Sequence, residues 1–359
     1  MNGRQRLDAI LHRRPADRLS WTSLVDDNTL AALPPDRHGL SLFEFYRYLG
    51  CDILQWNSWG APCSFRSPRI LWPDSVKQDW RKDDNRQIHE VHTPNGTLSA
   101  VYRAGHPVKY MVETLEELRL YRSIWEGVRY EEADDREAFR KIDEAIGSDG
   151  VIARTLGPST IPLLLENIMG TVNFYYLLND HPAEVEALIQ VVHERELEAW
   201  RIAARGPGET FILVENTDTR YISPKLYRRY NGPHVREFVS IMHAAGKIAI
   251  IHMCGHIRDL LHDIRETGLD GVHALTPPPV GDTPWELALD VLGEETVIVG
   301  AFNPAVFVPG PPELIERELE LAYTRRLRQA HFVLCTFADG LAVPLDHFQA
   351  VARWFGQHG

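Results

Sequence analysis

The stretch KIAIIHMCGH, Lys247 to His256, decides the reading of this chain. Its apolar run Ile248-Ala249-Ile250-Ile251 has the length and composition of a strand covered on both faces, and it ends abruptly at His252, Met253, Cys254 and Gly255. Residues two apart in an extended chain project to the same side, so the imidazole of His252 and the sulfur of Cys254 are set to converge at the end of the strand. On either side the pattern repeats. Strand Thr210–Glu215 precedes a helix at Pro224–Ala245, and the strand ending at His252 precedes a helix at Ile257–Thr267. Strands Asp270–Leu275, Thr296–Ala301 and His331–Cys335 are each followed by a helical stretch, at Pro284–Leu292, Pro312–Ala330 and Val343–Gly356.

The N-terminal half supplies three more strands of the same kind, Leu19–Leu24, Cys51–Trp56 and Val151–Leu156, and opens with a helix carrying Leu7, Ile10 and Leu11 on one face. Eight strands alternating with helices over 359 residues predict an α/β protein, a (β/α)₈ TIM barrel with an N-terminal extension, as one domain over residues 1–359. An Asn95-Gly96 turn between β-prone runs interrupts the rhythm and predicts an inserted antiparallel β-hairpin at about 76–110.

Composition narrows the function. The net charge of −12 comes from mixed rather than blocked charges, which argues against nucleic acid as the partner. With 44% hydrophobic residues the chain can bury a large core, yet no apolar run reaches the about 20 residues that span a bilayer. The N-terminus has no apolar signal segment, so a cytoplasmic protein is expected. Four cysteines, Cys51, Cys63, Cys254 and Cys335, are too few for a disulfide framework and fit reduced thiols, some of them on a metal.

In a (β/α)₈ barrel the reacting groups sit at the C-terminal ends of the strands. The polar residues fall there: Gln55, Trp56 and Asn57; Glu215, Asn216 and Asp218; His252 and Cys254; His273; Asn303; and Cys335, with Asp339 after it. His252, Cys254 and Cys335 are the predicted metal ligands, because an imidazole and two thiolates suit zinc. A buried cysteine and a satisfied core histidine are the bland alternative. His273 on the next strand and Glu215 on the preceding one compete for the fourth position. Glu215 and Asp218 are candidate acid/base groups, and Asn216, Asn303, Trp56, Asn57 and Tyr176 candidate substrate-binding residues. Asp52, a carboxylate within an apolar strand, serves either chemistry or a buried ion pair.

These residues carry a resemblance. Arg4-Gln5-Arg6-Leu7 with Asp17-Arg18, the H-x-C-G at His252–Gly255, Gly268-Leu269-Asp270-Gly271, the segment Thr276-Pro277-Pro278-Pro279-Val280-Gly281-Asp282, and Cys335 with Val343-Pro344 together resemble the uroporphyrinogen decarboxylase superfamily. Within it they are most similar to the zinc-dependent methyltransferases that act with corrinoids, such as methylcobamide:coenzyme M methyltransferases. The resemblance implies a (β/α)₈ barrel, a Zn²⁺ held by His252, Cys254 and Cys335, and methyl transfer between a small-molecule methyl donor or thiol acceptor and cobalamin on a partner corrinoid protein. Where similar sequences carry Glu just before the T-P-P-P segment, this chain has His273. A metal-free decarboxylase built on Asp52 and a non-catalytic corrinoid- or tetrapyrrole-binding barrel are the competing readings.

Overall fold

The computed structural model describes residues 1–338 and 340–358; Asp339 lies outside the described residues. Eight strands form one sheet: β1 (Ser20–Leu24), β2 (Ile53–Trp56), β3 (Gly150–Leu156), β4 (Thr210–Val214), β5 (Ile248–His252), β6 (Gly271–Leu275), β7 (Val297–Ala301) and β8 (Phe332–Phe337). They pair in parallel in the order β1-β8-β7-β6-β5-β4-β3-β2. Between the two ends of that order, Asp52 N–H donates to Trp21 O at 2.9 Å and Leu54 N–H to Thr22 Oγ1 at 3.2 Å. The result is the expected α/β barrel, nearly closed.

Side-chain alternation explains why these runs are apolar throughout. Leu54, Ala153, Ile212, Ile250, Val297, Val299 and Val333 share one core, while their neighbours Phe211, Ile251, Val272 and Ile298 are buried on the other side of the strands. Each such side chain larger than alanine contributes about 1.5–3 kcal/mol by leaving water. The N-terminal helix α1 (Gly3–Leu11) starts at an Asn2–Gln5 capping box and sends Leu7, Ile10 and Leu11 into that same core, the face expected from its spacing.

Arg6, on α1, is buried and ties the helix to the start of β2. Its Nη1 donates to Asp52 Oδ1 at 2.6 Å and its Nε to Asp17 Oδ1 at 2.8 Å, while Ser20 Oγ donates to Asp52 Oδ2 at 2.8 Å. Asp52 is therefore half of a buried ion pair at the N-terminal end of its strand. Burial pushes Asp17 up, but hydrogen bonds from Arg6 and the Met1 amino group prevail and hold it down to about 2, below its ordinary 3.8. A carboxyl with a folded-state pKa below its unfolded one stabilises the protein above the unfolded value. Stability is thus expected to fall as pH drops from 3.8 towards 2, and Asp17→Asn to flatten that limb in denaturant midpoints measured against pH.

The chain packs as two compact units. The barrel unit comprises Met1–Phe65, Asp135–Leu156 and Pro207–Gly359, and the second comprises Arg66–Asp134 and Gly157–Gly206. The expected hairpin is larger than predicted. Lys77–Asp83, Arg86–Thr93, Gly96–Arg103 and His106–Lys109 form a four-stranded antiparallel sheet, and Arg69–Leu71 pairs with Arg129–Glu131. Its helices include Leu115–Gly127, Gly170–Asp180 and Pro182–Arg205. No helix among the described residues is long and apolar enough to cross a membrane.

Candidate active site at the strand ends

The hydrogen-bonded register runs Val214, His252, His273, Val299, Val333 across β4 to β8. It sets the two histidines side by side, His252 at the C-terminal end of β5 and His273 in the middle of β6. Their Nδ1 atoms are 2.8 Å apart, and both side chains are buried. Burial pushes His252 down to about 4 and His273 well below its ordinary value, so both rings are neutral and one nitrogen donates the single proton they share. Trp56, at the end of β2, stands 4.9 Å from each imidazole, and Phe337 closes the edge of His273 at 5.7 Å, between ring centres.

The backbone around this pair is bent out of regular strand geometry. Ala274, immediately after His273, has φ +64° at a register shift between β6 and β7. Asn57 and Asn216, which follow β2 and β4, have φ +51° and +47°. Bulges and left-handed non-glycine residues are costly, and they concentrate where a barrel re-aims side chains at a site.

The sulfurs are placed differently. Cys254, two residues past His252, is exposed, whereas Cys335 is buried and packs with Val333, Val299 and Leu7 in the barrel core. Cys335 pairs in register with Ala301, two residues beyond the Val299–Val333 row. Among the described residues, His252, Cys254, Cys335 and His273 do not form a group whose ligand atoms all lie within 4.8 Å of one another. The structure brings the two imidazoles together, and neither Cys254 nor Cys335 joins them in such a group. Burial pushes the Cys335 thiol up, so it ionises only against a cation.

Glu215 is fully buried and accepts from Thr217 Oγ1 at 2.8 Å and Asn231 Nδ2 at 2.6 Å. Asp218 is chelated by Arg220, with Nη2 at 2.6 Å from Oδ2 and Nε at 3.0 Å from Oδ1. Burial raises Asp218, but the hydrogen bonds of Arg220 outweigh it and keep the carboxyl below its ordinary range. The loop after β5 is pressed onto this carboxylate: a Cβ on Gly255 would lie 2.5 Å from Asp218 Oδ2. Gly255→Ala is expected to force the two loops apart, costing about 1–3 kcal/mol in denaturant unfolding and displacing the neighbouring Cys254.

Of the other predicted residues, Asn57 has a buried Oδ1 with no hydrogen-bond partner among the described residues. Asn216 accepts from Tyr221 Oη at its backbone oxygen, 2.8 Å away. Asn303 caps the short helix Pro304–Phe307 through Ala305 N–H at 3.0 Å and donates to Pro278 O at 2.9 Å, so both ends of its amide serve the loops. Tyr176 lies in the second unit, exposed on the helix Gly170–Asp180. Sequence reasoning missed Asn231, Arg220 and Phe337, while Thr217 belongs to the polar run Glu215-Asn216-Thr217-Asp218 that it did single out. Arg220 lies just past that run, but Asn231 ends a π-helical turn, Tyr227–Asn231, which no propensity signals.

The uroporphyrinogen decarboxylase (URO-D) family model matches residues 111–352, more than half of the sequence. The chain belongs to the uroporphyrinogen decarboxylase family. No curated protein matches it. Among solved structures, a methyltransferase from Methanosarcina mazei superposes with a TM-score of 0.62 at 15% identity, over 99% of each chain. At that identity it supports the fold of this URO-D family member. The pneumococcal exo-beta-D-N-acetylglucosaminidase StrH, through its GH20 catalytic modules, reaches a TM-score of 0.36 at 9% identity over 62% of each chain, too low to carry an argument.

Proposed function

We propose that this URO-D family protein is a methyltransferase that moves a methyl group between a small substrate or thiol and a corrinoid carried on a separate protein. The observation that supports it best is the pair of neutral imidazoles, His252 and His273, meeting at 2.8 Å with Cys254 two residues along the chain. Neutral imidazole nitrogens and a thiolate are donors that zinc accepts. On this reading His252, His273, Cys254 and Cys335 would hold the ion, with Cys335 giving up its proton on binding. Zinc held there would lower the pKa of a bound thiol so that methyl transfer proceeds near neutral pH.

The chain's own residues do the rest. Trp56 walls the imidazoles from water, and the unpaired Oδ1 of Asn57 is left to accept from a substrate N–H or O–H. Asn216 and Asn303 shape the loops that border the substrate. Glu215 and Asp218 act by positioning: the first braces Thr217 and Asn231, and the second fixes Arg220 against the loop that carries Cys254. With Asp52 bound to Arg6 at the start of β2, the decarboxylase reading built on that carboxylate has no support at the strand ends.

Elemental analysis of the untagged protein is expected to give about one zinc per chain, lost in both Cys254→Ser and Cys335→Ser. The zinc-loaded protein is expected to demethylate methylcobalamin in the presence of a thiol. Absence of zinc after anaerobic reconstitution would overturn the proposed mechanism, and zinc without any turnover would favour a corrinoid-binding role.

A further inference from the structure

At the N-terminal ends of β1 and β8, opposite the histidine pair, lies a cavity of about 520 Å³. Three arginines, Arg14, Arg18 and Arg328, and two histidines, His331 and His358, line it against a single carboxylate, Asp17. This is a concentration of positive charge in a chain of net charge −12. We propose that the cavity binds a small multivalent anion of the phosphate class.

Most of these charges are already matched within the chain. Asp17 is matched by Arg6 and by the Met1 amino group. Arg14 is paired with Asp8, His331 faces Glu295 at 3.9 Å and His358 faces Glu320 at 3.4 Å, so these three add little net charge. Arg18 and Arg328 differ. Arg18 donates to Leu19 O at 3.3 Å and stands 3.6 Å from Asp52, whose charge Arg6 already meets at 2.6 Å. Arg328 donates to Tyr323 O at 3.1 Å and His358 O at 3.5 Å, and makes no ion pair among the described residues. Carbonyl oxygens satisfy N–H groups but supply no opposite charge.

The Arg328 guanidinium is also held in place. It lies 5.5 Å from the Trp354 ring centre and 5.9 Å from that of Tyr323, which fixes it before any ligand arrives. The apolar wall of Ile10, Leu19 and Phe332 strengthens the field of the two arginines within the cavity. A planar fork of N–H donors matches phosphate oxygens in pairs, which a monatomic anion such as chloride cannot exploit.

The test is calorimetric titration of the intact protein with inorganic pyrophosphate and with ribose 5-phosphate, at ionic strength matched with chloride. Saturable binding of one anion per chain is expected, weakened about tenfold or more in Arg328→Gln and in Arg18→Gln. Arg140→Gln, which removes an exposed arginine paired with Glu137 and Glu144, is expected to bind as the wild type does. Tighter binding of the sugar phosphate identifies a phosphorylated small molecule as the ligand, and tighter binding of pyrophosphate a free inorganic anion. Melting curves show which variants are folded, with Arg328→Lys as the charge-preserving alternative. Absence of saturation by either anion, or equal affinity in wild type and the folded glutamine variants, overturns the proposal.

Discussion

Replacing His252 with alanine is expected, on the proposed zinc-dependent methyl transfer, to abolish zinc binding and to lower turnover by more than about a hundredfold, since disturbing even the outer partners of metal ligands costs 10- to 100-fold. The same change carries a stability signature. His252 and His273 share one proton across 2.8 Å in a buried pocket, so deleting the first ring leaves a nitrogen of the second without its partner. An unsatisfied buried polar group costs about 1–3 kcal/mol, and the vacated volume adds to that. His262→Ala, at an exposed position beyond β5, is expected to change neither zinc content nor unfolding midpoint. Zinc analysis beside denaturant unfolding separates the effects. A His252→Ala protein that is destabilised yet keeps its zinc would place the metal elsewhere.

Arg6→Ala is expected to destabilise the barrel by about 3–5 kcal/mol, the usual consequence of stranding one member of a buried ion pair. Arg6 and Asp52 are both almost wholly buried, and the arginine also holds Asp17 and the Met1 carbonyl, so one substitution leaves several groups unmatched. A double change, Arg6→Met with Asp52→Leu, is expected to recover a good part of the loss, because the desolvated charges disappear together. Unfolding free energies of the two single variants and the double variant test this. Additive losses would mean that the two side chains do not act as a unit.

The barrel was legible because its signal is strong and repeated. Each of the eight predicted strands, from Leu19–Leu24 to His331–Cys335, overlaps an observed one, and the ends differ by one or two residues at most. Strands covered on both faces read as continuous apolar runs, which no surface loop imitates. The inserted sheet was harder to size. Its middle turn at Asn95-Gly96 is plain, but the strand Lys77–Asp83 reads KQDWRKD and is almost entirely exposed, so it carries no apolar alternation. The flanking turns rely on Asp84 and Ala104 in left-handed conformation, and alanine gives no warning of that.

At the candidate site, spacing along a strand singled out His252 and the following strand offered His273, and the two lie in one register row. Whether two side chains meet across a barrel depends on shear and depth, which sequence separation does not encode. That is why Cys335 was foreseen on the correct strand, while the choice between a metal ligand and a buried core cysteine stayed open. Asp52 shows the converse. A buried carboxylate in a strand has the same appearance in sequence whether it reacts or anchors, and only the position of Arg6 decides.

The neighbour of β1 in the sheet is β8, with Ser20 opposite Val333 and Leu24 opposite Phe337. During synthesis the first strand therefore emerges long before its ladder partner exists, and α1 waits equally long for Val333 and Cys335. Contacts of such long sequence separation form slowly and leave apolar surface uncovered meanwhile. Synthesis must pass Phe337 before this barrel can shut, so a chain cut short before Phe332 has an opening strand with nothing to pair with.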